Sequence, residues 1–220
     1  MLKPDDIFKK HAGYALVIGS FFLIVTMALH PAGGSFEHLL KITKVIVVAH
    51  TIAILSVPII LFGFLGLHQS FNQARSLSTF AFIIMALGDI AVMNAAALNG
   101  LVLPMFINSY KDATPEVIEA IRPILKYNST LNHAFDYIFI GATCLAILLW
   151  SVAILRTKNF PVWLAYFGIL LNVGFLMGLL LDFNFVNLYG FRIFIFSLVG
   201  WIVAAGFLMI KSKNVVSSSR

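Results

Sequence analysis

Six stretches of this chain run for roughly 17 to 25 residues with almost no charge, each long enough to cross a ~30 Å hydrocarbon layer as a helix. A chain of 220 residues has too little other protein to bury six such segments. A bilayer is the remaining host. Inside it every backbone polar group must find a partner within its own segment, so each stretch reads as a helix. The expected fold is an all-α integral membrane protein, a bundle of six transmembrane helices forming a single domain over 1–220. The expected spans are 13–29, 45–67, 79–103, 131–155, 161–181 and 191–210. Composition agrees: charged residues make up 11% of the chain, against about 25% in soluble domains.

Local signals set the boundaries. His30-Pro31-Ala32-Gly33-Gly34 stops the first span. Its apolar run exceeds a signal-peptide core and its basic flank is diluted by Asp5 and Asp6, so it is read as a retained helix. Residues 35–44 suggest a turn or two of interfacial helix. Pro58 is expected to kink the second span. The one long connection, 105–130, contains TPEVIEAIRPILKY. Thr114 at the cap, Pro115 at the first helical position and an apolar stripe through Val117, Ile121 and Leu125 predict a short interfacial helix between helices 3 and 4, broken or bent at Pro123. Asn128-Ser129-Thr130 also matches a glycosylation acceptor. Gly174 and Gly178 form a GxxxG pair suited to close helix contact.

Polar residues inside the spans point to function, because a charge in mid-membrane costs at least a few kcal/mol unless it faces a cavity or a partner. Asp89 lies near the middle of the third span, followed by Asn94 and Asn99. With Asn172 and Asp136 they form the expected ligand-binding set. Helical phase puts Asn94 about 140° from Asp89, so a single narrow polar row is not expected. The polar groups gather toward one end of the bundle, and the other half of each span is almost wholly apolar. That pattern suggests a cup with Asp89 at its floor rather than a through-pore.

His50 and His133 occupy comparable depths on two spans running in the same direction, with Asp136 on the His133 face. Two histidines on different helices are the least a haem or a divalent metal such as zinc or copper requires. Asp182 and Arg192 flank the last loop and are expected to form a structural salt bridge. The lone Cys144 excludes an internal disulfide and reads as a small buried hydrophobe.

The leading reading is a non-enzymatic protein that binds or moves a small solute or ion from the outer side of the membrane, with Asp89 governing selectivity. The alternatives are a haem or metal protein through His50 and His133, a structural subunit meeting a protein partner, and a membrane-embedded hydrolase. No close-spaced hydrolase motif and no residue marked as a nucleophile supports the last, and its catalytic residues remain unknown. Lipid is the expected surrounding partner. Nothing marks a nucleic-acid site. Lys and Arg divide nine to six in favour of the side holding both termini, which assigns the termini to the cytoplasm of a plasma or bacterial inner membrane.

Overall fold

The computed structural model describes residues 4–211; Lys3, Lys213 and Arg220, which entered the charge tally, lie outside them. The described chain is helical throughout, without a strand. It forms α1 (Pro4–Leu29), α2 (Phe36–Gln69), a 3-10 turn (Asn72–Ala74), α3 (Arg75–Ala97), a π-helical segment (Leu98–Val102), α4 (Leu103–Asn108), α5 (Pro115–Thr157), α6 (Val162–Leu180) and α7 (Leu188–Lys211). Six helices are long and apolar enough to cross a membrane, the third being continuous from Asn72 to Asn108. They fit a multi-pass membrane protein.

Four helices outrun the spans expected for them by several residues: α1, α2, the third from Asn72 to Asn108, and α5. The second begins at Phe36, after Ser35 accepts a hydrogen bond from the His38 amide, so 35–44 is its first part. It runs through Pro58 without interruption. The expected interfacial helix is not separate: α5 is one helix of 43 residues, about 65 Å long at 1.5 Å per residue. Thr114 is its N-cap residue but makes no side-chain capping bond, and Pro115 opens the helix. Pro123 does not break it. The proline and Glu119, whose carbonyl it leaves unbonded, are both exposed, so solvent can take that carbonyl. The projecting ends pack into a small cap of their own, in which Phe36 of α2, Ile107 of α4 and Ile121 of α5 are buried together. We refer to this as the cap end and to the other as the terminal end.

Small residues let α1 pack between α2 and α7. Gly66 faces Ala12, Gly63 faces Leu16 and Gly19 faces Ile60. On the other side, a Cβ on Gly206 would lie 2.9 Å from the Gly13 carbonyl oxygen. Such contacts bring backbones close where lipid offers no hydrophobic drive for association. Gly174 meets nothing within 4 Å, whereas the Gly178 position is filled by Phe185 from the following loop. The GxxxG pair therefore makes no joint helix contact among the described residues. At α5 and α7 the connection is aromatic: the Phe139 ring lies 5.8 Å from Phe194, and Trp150 stacks on Trp201 at 6.2 Å.

Trp150 also stacks on Phe64 of α2 at 5.2 Å, giving a three-ring layer across the bundle in which every member is essentially inaccessible. Its indoles are satisfied: Trp150 Nε1 donates to Ser78 Oγ at 3.0 Å, and Trp201 Nε1 donates to the Leu164 carbonyl at 3.1 Å. Buried indoles stay in place when their N–H has such a partner. This layer closes the terminal half of the bundle.

Candidate functional site: a one-ended cavity

Above the aromatic layer the helices part around a cavity of about 680 Å³. Helices α1, α2, α3, α5 and α7 contribute to its wall, while α6 packs outside. The cavity reaches the cap end between the His30–Glu37 loop and the first turns of α5. It ends at Phe64, Met85 and Ile202.

The wall has two characters. Along α1, α2 and α7 it is mostly apolar, with Leu23, Met27, Ile60, Phe191, Ile195 and Leu198. Along α3 and α5 it carries amides and carboxyls: Asp89, Asn99, Asn128, Asn132 and Asp136. The last three stand at four-residue spacing and share one face of α5. Asn128 Nδ2 donates to Asn99 Oδ1 at 3.3 Å, and Asn132 Nδ2 donates to Asp136 Oδ2 at 2.8 Å. The contacts Asn99–Asn128 and Thr143–Met85 set the antiparallel register of the two helices. In that register Asp89 is roughly level with Phe139, and Asp136 sits about one turn nearer the mouth.

Asp89 is 5% exposed, and its Oδ2 has no hydrogen-bond partner among the described residues. Its neighbour Gly88 brings α3 against α5; a Cβ there would lie 2.8 Å from the Ala142 methyl. Asn99 is placed by the π segment, where one extra residue per turn re-aims side chains; such segments are frequent at functional sites. Gly100 in the same segment lets α3 reach α2, because a Cβ there would overlap that of His50.

Of the expected ligand set, Asp89, Asn99 and Asp136 line this one cavity. Asn94 and Asn172 do not. Asn94 is exposed and donates to the Ile90 carbonyl one turn back at 2.9 Å. Asn172 does the same to the Gly168 carbonyl, also at 2.9 Å. Each amide is satisfied by its own helix and needs no cavity. The sequence reading missed Asn128 and Asn132. Their spacing with Asp136 was the available signal, obscured by reading Asn128 as part of a glycosylation acceptor in a loop.

His50 and His133 both border the cavity, but they differ in setting. His50 is buried, with Nδ1 2.8 Å from the Ile46 carbonyl and its ring 4.9 Å from that of His30. His133 is exposed. Among the described residues no group of three or more His, Cys, Asp or Glu side chains gathers as a metal ion needs. The ring partner of His50 is thus a histidine that sequence spacing did not single out.

The Asp182–Arg192 salt bridge does not form among the described residues. Arg192 turns instead to the end of α1, donating from Nε to the Met27 carbonyl at 3.2 Å and from Nη2 to the His30 carbonyl at 2.9 Å. Terminal helix carbonyls lack intrahelical partners, and a guanidinium fork is well shaped to take two of them. Asp182 is exposed and adopts φ 55, ending α6 in a left-handed residue.

His30 lies in the loop after α1. Burial, and then the neighbouring His50, push its pKa down to about 4 from an ordinary 6.5; the Pro31 carbonyl opposes this, and Arg192 adds to the lowering. Between those values the unfolded chain takes up a proton that the native protein refuses. The His30 contribution to stability is therefore complete above pH 6.5 and is lost as the pH falls toward 4. Thermal unfolding midpoints are expected to drop over that interval, and His30→Gln is expected to make the dependence shallower. An identical slope in the variant would contradict this.

The six long apolar helices fit a multi-pass membrane protein, and among the described residues they surround a two-faced cavity that reaches the cap end. Comparison with protein-family models, curated proteins and solved structures finds no match.

Proposed function

We propose that this protein binds a small solute in the cavity, admitted from the cap end, with Asp89 as its innermost polar contact. The observation that carries the reading is the unpartnered carboxyl oxygen of Asp89, 5% exposed, lining a cavity of about 680 Å³. Leaving a buried polar atom unbonded costs about 1–3 kcal/mol, and more for a charged group, so a ligand that supplied the missing contact would recover that energy. The volume lies within the range of small-molecule sites. The nine-to-six Lys and Arg bias favours termini in the cytoplasm, and in that orientation the cap faces outward and the solute would come from the external medium. Movement to the other side would require the Phe64–Trp150–Trp201 layer to part.

Blocking the cavity tests this. Ala96 is buried on the α3 wall. Ala96→Phe is expected to place a ring in open space, lower solute uptake or binding at least tenfold, and leave the unfolding temperature within a few degrees of the parent. Full binding in a well-folded variant would rule the cavity out as the site.

A further inference from the structure

The charges of the cavity are arranged by depth. Its Lys and Arg residues, Arg122 and Lys126, stand in the exposed first turns of α5, and the Arg122 guanidinium is paired with Glu119 at 2.6 Å. Farther in, the ionisable groups on the α3–α5 wall are two carboxyls, Asp136 and Asp89. Asn132 holds the first by one oxygen, and the second has an oxygen with no hydrogen-bond partner among the described residues. The facing wall of α1, α2 and α7 is mostly hydrocarbon, interrupted by His30, His50, Ser56 and Thr26, whose Oγ1 also lacks a hydrogen-bond partner among the described residues.

Each ligand class meets this differently. An anionic head would enter a buried site whose inner α3–α5 wall offers two acids and no Lys or Arg to balance its charge. A neutral alcohol could bond Asp89 but would balance no charge. A bare inorganic cation would need several oxygen ligands around one point, whereas these acceptors are strung along a wall: Asn128 to Asp136 alone spans roughly 12 Å. An inorganic ion would also leave the apolar wall without a partner. An organic ammonium satisfies both walls, giving charge-assisted N–H bonds to the carboxyls and burying its body opposite.

We infer that the solute is an amphipathic amine, its ammonium group held at Asp89 and Asp136 and its apolar body against α1, α2 and α7. This rests on the solute-binding reading above. The test uses three probes with one apolar body and different heads: 4-phenylbutylamine, 4-phenylbutanol and 4-phenylbutyrate. Each is measured by equilibrium dialysis against the full chain in lipid nanodiscs at neutral pH, with empty nanodiscs subtracted. The amine is expected to bind at one per chain, at least tenfold tighter than the alcohol, with the carboxylate weakest. Asp89→Asn is expected to abolish that preference, so that the amine binds no better than the alcohol, and Asp136→Asn to reduce it severalfold. A melting curve for each variant separates lost recognition from lost fold, and Asp136→Asn serves if Asp89→Asn does not fold. Equal binding of amine and alcohol, or tighter binding of the carboxylate, overturns the amine assignment and leaves the cavity reading in place. Binding of none of the three to the parent protein, or undiminished binding in Ala96→Phe, overturns the cavity reading itself.

Discussion

Replacing Gly66 with leucine is expected to produce one of the two largest losses of stability in this protein. Gly66 sits where α2 crosses α1, and a Cβ there would overlap the Ala12 Cβ, with the Ala12 Cα only 3.6 Å away. The Met209 methyl, 3.2 Å away, could move aside, but the nearest atom is the Ala12 Cβ, fixed to its main chain, so side-chain repacking cannot relieve the clash. The helices must separate, which also disturbs the Gly63–Leu16 and Gly19–Ile60 contacts on the same face. Overpacking typically costs 1–3 kcal/mol, and rigid neighbours place this case near the top, about 3 kcal/mol. For a chain of this size that is a fall of roughly 6–12 °C in unfolding temperature. The control is Gly66→Ala alone and with Ala12→Gly: the second change exchanges the two small residues and is expected to return most of what the first removes. A Gly66→Leu protein that melts with the parent would show that α1 and α2 do not meet there.

Arg192→Ala is expected to have a comparable effect for a different reason. The side chain bonds two carbonyls at the end of α1, and hydrogen bonds involving a charged group are worth about 1.5–3 kcal/mol each. Truncation would also strand the Met27 carbonyl in a setting where Met27 itself is buried. Solvent near the mouth can rescue the His30 carbonyl in part, so a net loss of about 3 kcal/mol is expected rather than the sum. Lysine is not an adequate substitute, because a single ammonium cannot reproduce the planar fork. Arg192→Lys is expected to keep less than half of the stability. Amide exchange across 27–34 provides the local reading: it is expected to quicken in Arg192→Ala more than elsewhere in α1. Uniform or unchanged exchange would mean that the arginine does not hold this end.

Much of the architecture was legible in the sequence because apolar length is a strong signal. All six long helices were expected, and each observed helix contains or closely matches the expected span. The lengths were not legible. Beyond the apolar run, helices α2 and α5 continue through mixed sequence, stabilised by one another around Phe36, Ile107 and Ile121. No single segment reveals that mutual burial. Asp89 stood out because a charge in such a run is expensive. Asn94 and Asn172 stood out on the same ground and proved to bond their own helices. An amide can satisfy its N–H on the carbonyl one turn back, whereas a carboxylate has no donor to offer it. Arg192 was paired with the nearest acid along the chain, but its partners are carbonyls more than 160 residues away in sequence.

The single helix from Pro115 to Thr157 carries Ile121 in the cap, Asn128 to Asp136 on the polar wall, and Trp150 in the layer that seals the base. Its length from Ile124 onward contains no proline or other break. Mechanically it is a rod that touches the entrance, the middle and the seal at once. A rigid rod tilting about a point within its length moves its two ends in opposite directions. Displacing the cap end toward the bundle axis would therefore draw Trp150 away from it, and the reverse. In such a tilt the cap and the aromatic layer would shift together, with the amides and Asp136 between them on the same helix.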